Sequence, residues 1–153
     1  MRRGTRLPFS TTTRACRVEE GRFTVIDSSA LVAILFNEPE AVLFLSRMAA
    51  ADICRLSAAS FVELGIVLRR DPTGRRRQAF DEMLRTFSVR IEPVTEDQAR
   101  LAVDAYDRFG KGTGHAAGLN FGDCFSYALA MALGERLLFK GDDFTRTDIE
   151  AAC

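Results

Sequence analysis

Four short apolar runs, Phe23–Asp27, Ile53–Ser57, Ser88–Glu92 and Leu137–Lys140, are separated by long stretches of helical periodicity. Strands joined through helices run in the same direction, and their sheet is covered on its faces. The alternation therefore predicts β-α units on a mainly parallel sheet. Between the first two runs, "SALVAILFN" and "PEAVLFLSRMAAA" read as two helices, with Pro39 tolerated in the first turn of the second. Ser57 is placed to cap "AASFVELGIVLRR", and "TEDQARLAVDAYDRFG" opens with Thr95 and Gln98 at capping-box spacing and closes on Gly110. A glycine-rich loop, "KGTGHAAGL", then leads into the helix "NFGDCFSYALAMALG", which ends at Gly134. The glycines of "GKGTG" lack the phosphate-loop order and follow a helix rather than a strand, so they read as a connection.

A chain of 153 residues suits one domain with a sizeable core. No apolar stretch approaches the roughly 20 residues of a membrane span, which argues against a membrane protein. The formal net charge is zero, but residues 1–22 carry six Arg against two Glu, leaving 15 basic and 19 acidic residues in the remainder. That mildly acidic balance disfavours bulk capture of nucleic acid, so a polyanion partner requires a local basic patch. Cys16, Cys54, Cys124 and Cys153 form no C-x-x-C pair, and the lone His115 offers no zinc spacing, so reduced thiols in the cytoplasm are expected, with Cys54 and Cys124 as small core residues. Residues 1–22 have arginines but no contiguous apolar core after them, so they do not read as a signal peptide. An organellar leader fits only slightly better. The expected organisation is a disordered extension or an early start over 1–22, followed by one domain over 23–153.

Acidic residues recur where functional groups gather in such a sheet, beyond the carboxyl ends of the strands. Asp27 ends the first run, Glu63 lies in the helix after the second, Asp123 opens the helix before the last, and Asp142 and Asp143 follow that run in "LLFKGDDF". Each has an ordinary reading by itself. Asp27 suits a helix cap, Glu63 a solvent-facing position, Asp123 a helix-dipole partner, and Asp142 with Asp143 a turn. Acids gathered at one edge amid apolar sequence would repel one another, and a divalent cation with a preference for hard oxygen is the simplest common explanation. Mg²⁺ or Mn²⁺ in such a place makes metal-assisted phosphodiester hydrolysis the leading chemistry.

The segments "VIDSSALVAIL", "LSAASFVELGIVL", "LNFGDCFSYALAMA" and "LLFKGDDF" together resemble the PIN domain, and specifically the VapC-type ribonuclease toxins of bacterial toxin–antitoxin pairs. The match runs from about Phe23 to the C-terminus, with the motif blocks in order. The resemblance implies a three-layer α/β/α PIN-like fold, Mg²⁺- or Mn²⁺-dependent RNA cleavage, and a VapB-like antitoxin that blocks the acidic pocket. Residue by residue, it makes Asp27 and Asp123 metal ligands, Ser28 the small hydroxyl beside the first, and Glu63 the helix acid. Asp143 matches the fourth acid better than Asp142. Asp104 and Asp107 lie outside the motifs and read as surface charges.

Arg69, Arg70, Arg75, Arg76 and Arg77 around Asp71 give a local charge of +4 that could follow an RNA backbone, with Lys111 and Lys140 adding to it. A solvated helix connection is the plainer account. A haloacid-dehalogenase-type phosphatase also uses a strand-end aspartate and an acidic turn, but it needs a second aspartate where this chain has Ser29. A structure-specific DNA nuclease would need further elements to clamp its junction. A non-catalytic interaction module with this fold would be expected to have lost acids, and the core acidic positions are all present. Apolar helices such as "PEAVLFLSRMAAA" make a homodimer an expectation as well.

Overall fold

The computed structural model describes residues 22–153, so the extension expected over 1–22 lies, apart from Arg22, outside the described residues. Arg22 belongs with the domain: its N–H donates to Asp52 Oδ2 and its carbonyl accepts from the Asp52 N–H. Four parallel strands, β1 (Phe23–Ile26), β2 (Ile53–Ser57), β3 (Arg90–Glu92) and β4 (Arg136–Leu138), form one sheet in the order β3-β2-β1-β4. Six helices connect them: α1 (Ser28–Leu35), α2 (Ala41–Ala50), α3 (Ala58–Leu68), α4 (Arg75–Thr86), α5 (Glu96–Phe109) and α6 (Phe121–Leu133).

Alternation along the strands divides the core in two. Val25 and Leu137 point into a cluster with Ala105, Phe109, Tyr127 and Leu129 from α5 and α6. Their neighbours Ile26 and Leu138, with Cys54 and Leu56, point into a cluster with Leu31, Phe44, Leu64 and Phe80 from α1 to α4. Side chains one residue apart on a strand face opposite sides, so these two clusters make the three-layer α/β/α arrangement expected of the sequence. Cys54 and Cys124 are core residues, and burial, joined at Cys124 by the charge of Asp123, pushes both thiols up to about 11.

The order β3-β2-β1-β4 means that the chain leaves β1 toward one edge and returns to pair β4 on its other side. Connections beside β1 therefore diverge to opposite faces, and a crevice opens at the carboxyl ends of β1 and β4.

Three local expectations need correction. The Arg69–Arg77 segment is not only a connection, because Arg75, Arg76 and Arg77 form the first turn of α4. That helix buries only Phe80 and Met83, too sparse an apolar stripe to stand out among its charges. β3 and β4 are shorter than the apolar runs, since Val89 and Phe139 pack against the core without joining a ladder. Thr95 caps α5 by accepting the Gln98 N–H at 3.2 Å, and the box that is reciprocal lies instead at the start of α6, between Asn120 and Asp123.

Candidate active site

At the carboxyl ends of β1 and β4 an open pocket of about 410 Å³ is lined by Asp27, Ser28, Ser29, Glu38, Glu63, Asn120, Asp123, Lys140 and Asp143, among others. Asp27, Glu63, Asp123 and Asp143 thus meet from four separate segments of the chain. Asp142 does not line the pocket. It stays exposed in the turn, where its carbonyl accepts hydrogen bonds from Thr145.

Asp27 is both a cap and a pocket residue. Its Oδ2 accepts the Ser29 N–H at 2.9 Å at the start of α1, and its own N–H donates to the Leu138 carbonyl at 2.9 Å. Its Oδ1 is buried and has no hydrogen-bond partner, although the residue is only 1% exposed. Leaving a charged oxygen buried and unmatched is costly, so this atom calls for a cation.

Asp123 also has two roles. Its Oδ2 accepts the Asn120 N–H at 2.8 Å while Asn120 Oδ1 accepts the Asp123 N–H at 2.9 Å, which closes the capping box. Burial, and then the neighbouring charges of Asp27, Asp143 and Glu63, push its carboxyl up to about 7, against the pull of the Asn120 N–H. A shift of that size from desolvation and like charge marks carboxylates crowded without compensation.

Glu63 faces the pocket from α3 rather than open solvent, and the Ser28 hydroxyl donates to its Oε2 at 3.2 Å. The buried hydroxyls of Ser60 and Ser126, 3.2 Å apart, fasten α3 to α6 one turn from Glu63 and from Asp123. The pairing of buried serines gave no signal in the sequence, because each sits alone in an apolar helix.

Among the described residues, none of the four pocket acids takes part in an ion pair. Lys140 is the one basic residue in the lining, but its Nζ lies 2.5 Å from Glu38 and 3.1 Å from Glu40. Its backbone N–H donates to Ser29 Oγ at 3.0 Å, so Ser29 is an acceptor that holds the β4 end to α1, and no second acid stands there. Elsewhere, Arg55 pairs with Glu92 and with Oε1 of Glu135, whose Oε2 is buried without a hydrogen-bond partner.

The donor set is hard oxygen throughout, as Mg²⁺ and Mn²⁺ prefer. No three His, Cys, Asp or Glu side chains among the described residues already close on one point as a finished cage. Mg²⁺ needs no such cage, since it keeps several waters and takes one or two carboxylates. The residues present therefore fit a divalent ion.

Of the basic residues singled out in the sequence, only Lys140 lines the pocket. Arg75, Arg76 and Arg77 start α4; the Arg76 guanidinium stacks 4.2 Å from the Phe36 ring centroid, and Arg77 Nε lies 3.6 Å from Asp81. Arg69 and Arg70 are exposed just after α3. Lys111 is exposed in the loop before α6, outside the pocket lining. Asp104 and Asp107 flank a separate shallow depression with Arg108 and Tyr127.

The family model of the PIN domain matches residues 24–150 of this chain. The chain belongs to the PIN-domain family. Within it, Ribonuclease VapC28 of Mycobacterium tuberculosis is 52% identical over 84% of this chain and 96% of its own length. Ribonuclease VapC of Mycolicibacterium smegmatis is 48% identical, over 83% and 98% respectively. This PIN domain also superposes on solved structures. A crystal structure of Mycobacterium tuberculosis VapC20, described as a sarcin-ricin loop cleaving toxin, matches with a TM-score of 0.66 at 19% identity, covering 82% of this chain and 95% of that one. The VapBC2 complex from Rickettsia felis matches with a TM-score of 0.67 at 14% identity, covering 84% and 96%. Those two likenesses establish the fold; the two curated relatives place this PIN domain beside the VapC ribonucleases.

Proposed function

We propose that this chain is a metal-dependent endoribonuclease, the toxin of a toxin–antitoxin pair, which hydrolyses RNA phosphodiester bonds at the Asp27–Glu63–Asp123–Asp143 pocket. The single observation that carries the reading is the buried Asp27 Oδ1, without a partner, in a pocket where Asp27, Glu63, Asp123 and Asp143 have no ion pair among the described residues and the one lining cation, Lys140, is paired with Glu38 and Glu40. Glu135 also has a buried oxygen without a hydrogen bond, but its other oxygen pairs with Arg55, whereas Asp27 has no cation on either oxygen among the described residues.

Asp27 and Asp123 would hold Mg²⁺ or Mn²⁺, which when bound polarises a phosphodiester and acidifies a coordinated water. Glu63, steadied by Ser28, is placed to accept a proton from an attacking water. Asp143, from the turn after β4, completes the anionic wall, and Asn120 holds the Asp123 carboxylate in place.

The partners of this reading are an RNA substrate and a VapB-like antitoxin that occludes the pocket. The protein acts in the cytoplasm, as a homodimer, and the domain proper begins near Arg22. No helix of the described residues is long and apolar enough to cross a membrane. The test is cleavage of a mixed RNA pool in Mg²⁺ or Mn²⁺, with an EDTA control and an Asp123→Asn variant of unchanged fold. Cleavage that persists in EDTA, or in the variant, would overturn the reading.

A further inference from the structure

Gly122 is the second residue of α6, yet its backbone does not require glycine, since it is absent from the positive-φ positions. Helix propensity would favour alanine there. What excludes a side chain is Glu63: a Cβ on Gly122 would lie 2.6 Å from both Glu63 Oε1 and Oε2, and 2.8 Å from Cδ. Real carbon–oxygen contacts are not that short. The obstructed group is the end of a movable side chain rather than backbone, so an added methyl would displace the carboxylate and leave the helix intact.

We infer that Gly122 is a positioning residue: its missing side chain forms the floor on which the Glu63 carboxylate rests, between the first turn of α6 and the Ser28 hydroxyl. Ser28 fixes that carboxylate from α1 by a hydrogen bond of 3.2 Å, and Gly122 lets it come in against α6, next to Asp123. Pushed off this floor, Glu63 would lose Ser28 and its place among the pocket acids. This deepens the ribonuclease reading and rests on it for the chemistry, but the packing itself does not depend on it.

The experiment compares wild type, Gly122→Ala, Glu63→Asp and the double variant Gly122→Ala/Glu63→Asp. Three quantities are measured: melting temperature, Mn²⁺ affinity by titration calorimetry, and metal-dependent RNA cleavage. Gly122→Ala is expected to melt at or above the wild-type temperature while cleaving RNA on the order of 10–100-fold less well, the range seen when a group that orients a metal site is lost, and to bind Mn²⁺ more weakly, because the displaced Glu63 carboxylate no longer adds its negative charge beside Asp123. Aspartate is one methylene shorter. Glu63→Asp should therefore impair the wild type yet recover part of the loss in the Gly122→Ala background, a sign reversal that a merely structural role would not produce. Wild-type Mn²⁺ affinity and cleavage in folded Gly122→Ala would overturn the inference, as would a lowered melting temperature with no recovery in the double variant. If the wild type cleaves no RNA, the ribonuclease reading fails, and the Mn²⁺ affinities decide the positioning role alone: equal values in wild type and Gly122→Ala overturn it.

Discussion

Asp27 divides its carboxylate between two tasks: Oδ2 accepts the Ser29 N–H at 2.9 Å, and Oδ1, buried, is left to the pocket. Capping occupies only one oxygen, so it leaves the other open to the metal binding proposed for this residue. Asparagine caps about as well as aspartate but carries no charge. Asp27→Asn is expected to keep or slightly raise apo stability, by relieving repulsion with Asp123, and to reduce metal-dependent cleavage by at least ~100-fold, the loss of roughly 2.7 kcal/mol of transition-state stabilisation. Melting curves beside cleavage assays check it. Full activity in the folded variant would return Asp27 to a cap alone.

The rise of Asp123 to about 7 sets a pH dependence. The unfolded chain releases this proton near the ordinary aspartate value, whereas the folded apo protein keeps it to about pH 7. Between those limits the folded state binds more protons, so apo stability is greatest at the acidic end and falls as pH rises through the window. A divalent ion held by Asp123, as proposed, would compete with the same proton, so its affinity would rise over that window. The stabilisation by added Mg²⁺ should be larger at about pH 8 than at about pH 6, and Asp123→Asn should flatten both trends. Thermal melts at the two pH values, with and without Mg²⁺, are sufficient; an apo stability that rises with pH in wild type but not in Asp123→Asn would contradict this account.

Ser60 and Ser126 satisfy each other inside the α3–α6 contact. Replacing either one by alanine strands the other hydroxyl in an apolar setting, at a cost of about 1–3 kcal/mol. Replacing both removes the two polar groups together, so the double variant should be less destabilised than the sum of the singles. Urea denaturation of the four proteins of this cycle measures the coupling. Additive losses would mean that the two hydroxyls do not interact.

The arginines that open α4 stand apart from the acid pocket, and Arg76 and Arg77 already have local partners. If they nevertheless follow an RNA backbone, the triple change of Arg75, Arg76 and Arg77 to Gln should weaken RNA binding in EDTA. It should also reduce the slope of log affinity against log salt by up to about 2, at roughly 0.7 per phosphate contact on a single strand. An unchanged slope would leave these residues as a solvated face.

Deletion of residues 1–21 is expected to shift the melting temperature by less than about 2 °C, well under the roughly 4 °C that accompanies a 1 kcal/mol loss in a domain of 100 residues or so. Arg22 should be retained in that variant, since its backbone is paired with Asp52. A larger fall would move the domain boundary toward the N-terminus.

Much of this molecule was written locally. The four apolar runs and the helices between them are set by periodicity and by caps such as Ser57 and Thr95, which act over a few residues, and so the parallel α/β/α architecture could be read from the chain. Asp27, Glu63, Asp123 and Asp143 could be proposed as one set because each follows a strand or lies near the start of a helix at the same sheet edge. Helix α4 could not, since its burial rests on Phe80 and Met83 amid charges. Which oxygen of Asp27 remains unmatched and where Lys140 spends its charge were decided only by tertiary structure, which also places Asp143, favoured by the motif, in the pocket lining and leaves Asp142 out of it. Those outcomes depend on atoms more than a hundred residues apart in sequence, as with Lys140 and Ser29, and on who else is within hydrogen-bond reach. Gly122 is the clearest case: no backbone requirement marks it in the sequence, and its meaning appears only when α3 brings the Glu63 carboxylate onto α6.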